Sequence, residues 1–182
     1  MIQDFSHVTI SCRDLDRSTR FYEALGLTVT RRIGEMDSPG VAAAFALPRG
    51  HLTVTHLAPA HVTGKMVIDL VQWLDPKPEG TAYPALNYPG LTRLAFRVDD
   101  IDADAARLRA AFRDEPGVRF LSDAVEEFGQ GVRSIAFTDP DGTILQLIQG
   151  LDAMPTQTPS AAQPAAQASA QSSAQQPAHA AS

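Results

Sequence analysis

The chain has 182 residues, 44% of them apolar and 20% charged, a net charge of −6, and a single cysteine, Cys12. That length suits one ordinary domain or two small fused modules with a buried core. The acidic balance argues against nucleic acid or an anionic membrane surface as partner, and one thiol allows no internal disulfide. The first residues, Met1 to His7, lack a basic segment followed by an apolar run, so no signal peptide is expected. No apolar run approaches the roughly 18 residues of a membrane span. The expected compartment is the cytoplasm.

Residues 5–12 are β-rich and read as a strand. Asp14 is placed to cap a helix over residues 15–25, with Leu15, Tyr22 and Leu25 on one face and Phe21 beside them. Gly26 ends it. Residues 27–33 read as a second strand. Residues 41–47 and 52–57 are further strands, separated by Pro48-Arg49-Gly50, and residues 66–74 form the last strand of this half. A Pro- and Gly-rich linker follows, over residues 76–88.

The second half repeats the order. Residues 91–98 read as a strand. Asp100 caps a helix whose apolar positions are Ile101, Ala105, Leu108 and Phe112, and Pro116-Gly117 breaks it. Residues 118–121 read as a strand. Residues 132–138 and 143–149 flank Asp139-Pro140-Asp141-Gly142, a strong hairpin turn. Between the halves, His7 falls on Arg93, Asp14-Leu15-Asp16 on Asp100-Ile101-Asp102, and Ile68-Asp69-Leu70-Val71-Gln72 on Leu145-Gln146-Leu147-Ile148-Gln149. Each half is therefore βαβββ, over residues 3–75 and 89–150. Residues 151–182 are an Ala-, Gln-, Ser- and Pro-rich tail. They have no charge after Asp152 and no aromatic residue, so disorder is expected.

A repeat of this kind resembles the vicinal oxygen chelate superfamily. That group includes glyoxalase I, methylmalonyl-CoA epimerase, extradiol dioxygenases, fosfomycin-resistance enzymes and bleomycin-resistance binding proteins. The residues that carry the resemblance are His7-Val8-Thr9-Ile10, Asp14-Leu15, Phe21-Tyr22 and Leu25-Gly26-Leu27 in the first half. In the second they are Val98-Asp99-Asp100-Ile101, Gly131-Val132-Arg133, Asp139-Pro140-Asp141-Gly142 and Leu145-Gln146-Leu147. The resemblance implies an α+β fold of two tandem modules. Their curled mixed sheets would surround a cavity for a small molecule, often completed by a homodimer.

In metal-using members, the first and last strand of each module supply one ligand each. Those places here are His7, Asp69, Arg93 and Gln146. His7, Asp69 and Gln146 have donor atoms for Zn, Ni, Mn, Fe or Co. Arg93 does not: its guanidinium has five donors, no acceptor and a permanent charge. The expectation is therefore that no metal is used and that Arg93 supplies the positive charge instead. An arginine in a cavity suits a carboxylate, enolate or phenolate. His7, with Asp69, is then the natural acid or base, since imidazole titrates near neutrality. The competing reading of Arg93 and Asp69 is a buried ion pair that only holds the modules in register.

Trp73, Tyr83 and Tyr88 flank the linker and are placed either to stack on a flat ligand or to cover a sheet edge. Glu126 and Glu127 lie in a loop running to Gly131, from which Glu126 could reach the cavity. His51, His56 and His61 recur every five residues, so His51 and His56 fall on opposite faces of a strand and do not converge. Cys12 reads as a small core residue. Two readings lead: a binder that sequesters a small anionic or flat aromatic molecule, and a metal-free acid–base enzyme of lyase or isomerase type. The alternative is a divalent-metal lyase, isomerase or dioxygenase.

Overall fold

The computed structural model describes residues 1–60 and 67–153. The first unit runs β1 (His7–Ser11), α1 (Leu15–Ala24), β2 (Leu27–Asp37), α2 (Pro39–Ala44), β3 (His51–Pro59) and β4 (Val67–Asp75). The second runs β5 (Leu94–Arg97), α3 (Ile101–Ala111), β6 (Glu126–Glu127), β7 (Arg133–Thr138) and β8 (Ile144–Gln149). The sheet orders are β1-β4-β3-β2 and β5-β8-β7-β6. In each, the first strand lies parallel to the last and the other pairs are antiparallel. The α+β architecture is thus two mixed four-stranded sheets, curled but not closed.

Each unit is tied by the same device. Asp14 accepts from Arg17 N at 2.9 Å and Asp100 from Ala103 N at 3.0 Å, so both helices start on a carboxylate cap. Gln72 accepts from Leu15 N at 3.0 Å and donates to the Arg13 carbonyl at 3.1 Å. Gln149 accepts from Ile101 N at 3.3 Å and donates to the Asp99 carbonyl at 2.6 Å. A strand amide therefore satisfies a first-turn N–H that the helix itself leaves unpaired.

The helix-bearing faces of both sheets bury one continuous core. Ile10, Phe21, Tyr22 and Leu70 of the first unit meet Ile101, Leu108, Phe137 and Leu145 of the second. The Phe21 ring lies 4.6 Å from that of Phe112. Tyr22 is fully buried and donates its hydroxyl to Asp139 Oδ2 at 3.0 Å. Asp139 Oδ1 accepts from the amides of Asp141 and Thr143 at 2.9 and 2.8 Å. Burial raises the Asp139 carboxyl above its usual range and holds the Tyr22 hydroxyl well above its own. The turn at 139–142 is thus also the joint between the units. Arg17 adds an ion pair to Glu115 at 2.6 Å. Gly117, at φ +85°, lies so close to the Pro140 carbonyl that no side chain fits there. Cys12 is buried in the same core, and burial pushes its thiol up to about 12.

The structure corrects five element expectations. Residues 41–47 are not a strand, because α2 covers Pro39–Ala44. Ser38 caps that helix by accepting from Val41 N at 3.3 Å, and Pro39 opens its first turn. An Ala-rich apolar run carries no period that separates strand from helix. Residues 118–121 lie along β7 but pair only through the single bridge Phe120–Phe137. The strand slot of that unit falls to β6, inside the segment read as a loop. β2 extends to Asp37, with irregular register after Val29 and Ile33. β5 begins at Leu94, three residues later than expected. Leu151–Ala153 form one 3₁₀ turn, and the rest of the tail lies outside the described residues, as does His61. Among the described residues, no helix is long and apolar enough to cross a membrane.

Candidate functional site

Strand alternation decides which side chains face away from the helices. Ile10 on β1 and Cys12 just after it enter the main core, while His7, Thr9 and Ser11 are exposed on the other face. On β4, Ile68 and Leu70 pack under the helices. Val71 and Trp73 instead join Leu52, Val54 and Val41 in a second cluster on the open face, under α2. Asp69 shares that open face, paired with Thr9 on β1 and His56 on β3.

The Asp69 carboxylate stands between two imidazoles. His7 Nε2 is 3.8 Å from Oδ2, and His56 Nε2 is 3.4 Å from Oδ1. Oδ1 is buried and has no hydrogen-bond partner among the described residues. His56 is the residue that sequence reasoning missed. His51 turns instead to Glu35 at 2.7 Å, so the two imidazoles have different partners. The signal that finds His56 is the β3–β4 register, which puts it directly across from Asp69.

The second unit places Arg93 and Gln146 together in the same way. Leu145 and Leu147 enter the core, and Gln146 between them faces the open side, 5% exposed. Ser134 Oγ donates to the Leu147 carbonyl at 3.2 Å, so its oxygen accepts from Gln146 Nε2. That turns Gln146 Oε1 toward Arg93, whose Nε donates to it at 2.8 Å. The one-way chain sets the amide orientation by its own logic. Nη1 and Nη2 of Arg93 have no hydrogen-bond or ion-pair partner among the described residues. Arg93 therefore forms no ion pair with Asp69.

Arg93 opens on a cavity of about 400 Å³ between β1 and the chain leading into β5. Its polar lining is mostly hydroxyl: Thr9, Ser11, Thr81, Tyr83, Thr92 and Thr143. His7, Asp69 and Gln146 are not in that lining. The Tyr83 ring lines the cavity and stacks on Tyr88, centroids 5.8 Å apart. Trp73 donates its indole N–H to Ser11 Oγ at 3.3 Å. Glu126 is exposed at the outer edge of the second sheet, in register with Ser134.

The four inherited positions do not fit a cation as a set. Arg93 has no lone pair, and it occupies the carbonyl oxygen that Gln146 would offer. His7, Asp69 and His56 stand together, yet among the described residues no three His, Cys, Asp or Glu side chains take the arrangement of a metal site.

The comparisons agree with this architecture. A sequence profile of the Glyoxalase/Bleomycin resistance protein/Dioxygenase superfamily matches residues 4–147. The chain is 25% identical over 155 residues to "Glyoxylase I 4" of Arabidopsis thaliana, covering 85% of this chain and 74% of that one. A glyoxalase family protein from Bacillus cereus superposes with a TM-score of 0.71 at 20% identity, over 82% of this chain and 95% of the other. TnmS3, an antibiotic binding protein from Streptomyces sp. CB03234, is 28% identical with a TM-score of 0.50, over 81% and 96%. The fosfomycin resistance protein FosX of Listeria monocytogenes, solved with Mn(II) and sulfate, gives a TM-score of 0.50 at 21% identity, over 84% and 98%. By profile, sequence and fold together, the chain belongs to the Glyoxalase/Bleomycin resistance protein/Dioxygenase superfamily.

Proposed function

We propose that this protein binds a small organic anion, with the Arg93 guanidinium in place of a metal charge. One observation carries the reading: Arg93 lines a cavity rich in hydroxyls, with its Nε fixed by Gln146 and both Nη groups without partners among the described residues. A planar fork of that kind binds two oxygens of a carboxylate, enolate or phenolate at once. Thr9, Ser11, Thr92 and Tyr83 add neutral donors around it. Sequestration is favoured over turnover, because His7 and Asp69 lie outside the cavity lining. The likeness to an antibiotic binding protein supports the same choice. If a reaction occurs, His7 moves the proton with the Asp69 carboxylate beside it, and Arg93 stabilises the developing anion. The protein is proposed to work as a homodimer without nucleic acid or membrane.

The test is elemental metal content of the purified chain after incubation with Mn, Fe, Co, Ni and Zn, with Arg93→His and Arg93→Met alongside. Wild type is expected to stay empty, and Arg93→His to take up about one divalent ion per chain through the restored histidine. Benzoate binding, read by calorimetry, is expected to disappear in Arg93→Met. A near-stoichiometric ion in wild type would overturn the reading. It would make His7, Asp69 and Gln146 ligands and favour a metal-dependent lyase, isomerase or dioxygenase.

A further inference from the structure

The Arg93 cavity does not end at Ser11. A second depression along the linker shares Ser11, Thr81, Ala82 and Thr143 with it and continues to Pro78 and Glu79. Pro78 and Glu79 also line a third hollow, of about 490 Å³, whose other walls include Phe45, Pro48, Trp73 and Lys77. The three depressions follow one another along the 76–83 segment, each sharing walls with the next.

That segment is fixed. The Arg13 guanidinium donates to the Pro78 carbonyl at 3.2 Å and to the Gly80 carbonyl, and its Nε lies 3.6 Å from Asp141 Oδ1. The far end is built as well. Trp73 is anchored through Ser11 and packed on Leu52, Val54 and Val71. Phe45, at the end of α2, meets the Trp73 ring edge-on at 6.4 Å and 90°, yet stays 64% exposed. A large ring held out over a tryptophan leaves apolar surface that a flat molecule would cover. Lys77 stands at the rim, exposed and without an ion-pair partner among the described residues, with Glu79 as the opposing charge.

We propose that the ligand is an elongated aromatic oxyanion, its anionic head on Arg93 and its flat end laid against the exposed surface of Trp73 and Phe45. This deepens the Arg93 reading and rests on it for the head; the aromatic end rests on separate residues. Trp73 is the single tryptophan of the chain, so its emission reports that end directly.

The experiment titrates the full chain with azobenzene-4-carboxylate and with benzoate, by calorimetry and by Trp73 fluorescence, in wild type, Phe45→Ala and Arg93→Met. The long carboxylate is expected to bind about tenfold more tightly than benzoate and to quench Trp73. Phe45→Ala should remove that advantage and leave benzoate unchanged, since Phe45 is exposed and its loss opens no core cavity. Arg93→Met should weaken both ligands. Equal affinities in wild type, or a long ligand indifferent to Phe45→Ala, would sink the aromatic end and spare the Arg93 reading. Binding of both ligands that survives Arg93→Met would sink the anion site instead, and the proposal with it.

Discussion

The two units share their strand order and the ties between sheet and helix, and they differ on the open face. Toward the helices, Asp14 matches Asp100, Gln72 matches Gln149, and each makes the same hydrogen bonds in its own half. On the open face, His7 stands where the second unit has Arg93, Asp69 where it has Gln146, and His56 where it has Ala136. One open face carries a carboxylate between imidazoles, the other a guanidinium on an amide. The helix side repeats because closing a βαβββ unit poses the same hydrogen-bond problem twice. The open side is free of that demand, and it holds the residues proposed to bind the ligand.

The joint between the units breaks this symmetry. Tyr22 matches Leu108 in the second helix, and both are fully buried. Only Tyr22 has a hydroxyl to satisfy, and Asp139 is its partner. Tyr22→Leu, which makes the first helix a copy of the second, is expected to have the largest effect. It empties volume and leaves a buried carboxylate oxygen without its donor, for about 3 kcal/mol. Urea unfolding measures it; a loss near zero would mean that the joint is not held at this residue.

The repeated amides give the next effect. Gln72→Leu and Gln149→Leu each remove two hydrogen bonds and are expected to cost about 1–2 kcal/mol, in similar amounts. A large cost in one and none in the other would show that the halves are equivalent in geometry but not in energy.

The smallest effect is a pH slope. The Asp139 carboxyl is raised in the folded state by burial. The folded chain therefore holds that proton more tightly than the unfolded one. The contribution is full below the ordinary aspartate value, about 3.9, and is lost as pH rises through the folded value. Asp139→Asn keeps an oxygen for the amides of Asp141 and Thr143 and should lack this slope. Asp37 and Asp102, lowered by hydrogen bonds from Arg49 and Arg133, act in the opposite direction. The difference between wild type and variant is thus the quantity to follow, and a flat difference would remove Asp139 from the balance.

Local signals identified what local physics controls. The caps at Asp14 and Asp100 and the turn at 139–142 were readable because each depends on residues a few positions apart, and the internal repeat because the same local signals recur in the same order. The 39–44 helix was misread because its apolar residues have no decisive period, although Ser38-Pro39 marked its start. The 126–127 strand was unreadable because two residues pair only when β7 is already in place.

The same division runs through the site. Sequence by itself determined the residue types at the four inherited positions, and with them that Arg93 brings charge but no lone pair. Only the tertiary structure decided their partners. It gave Arg93 to Gln146 through Ser134, put His56 rather than Arg93 beside Asp69, and set the Arg93 cavity against the linker. Those outcomes depend on strand register and on which sheet edges face each other. Both are set by the burial of the whole core, and no short window of sequence contains them.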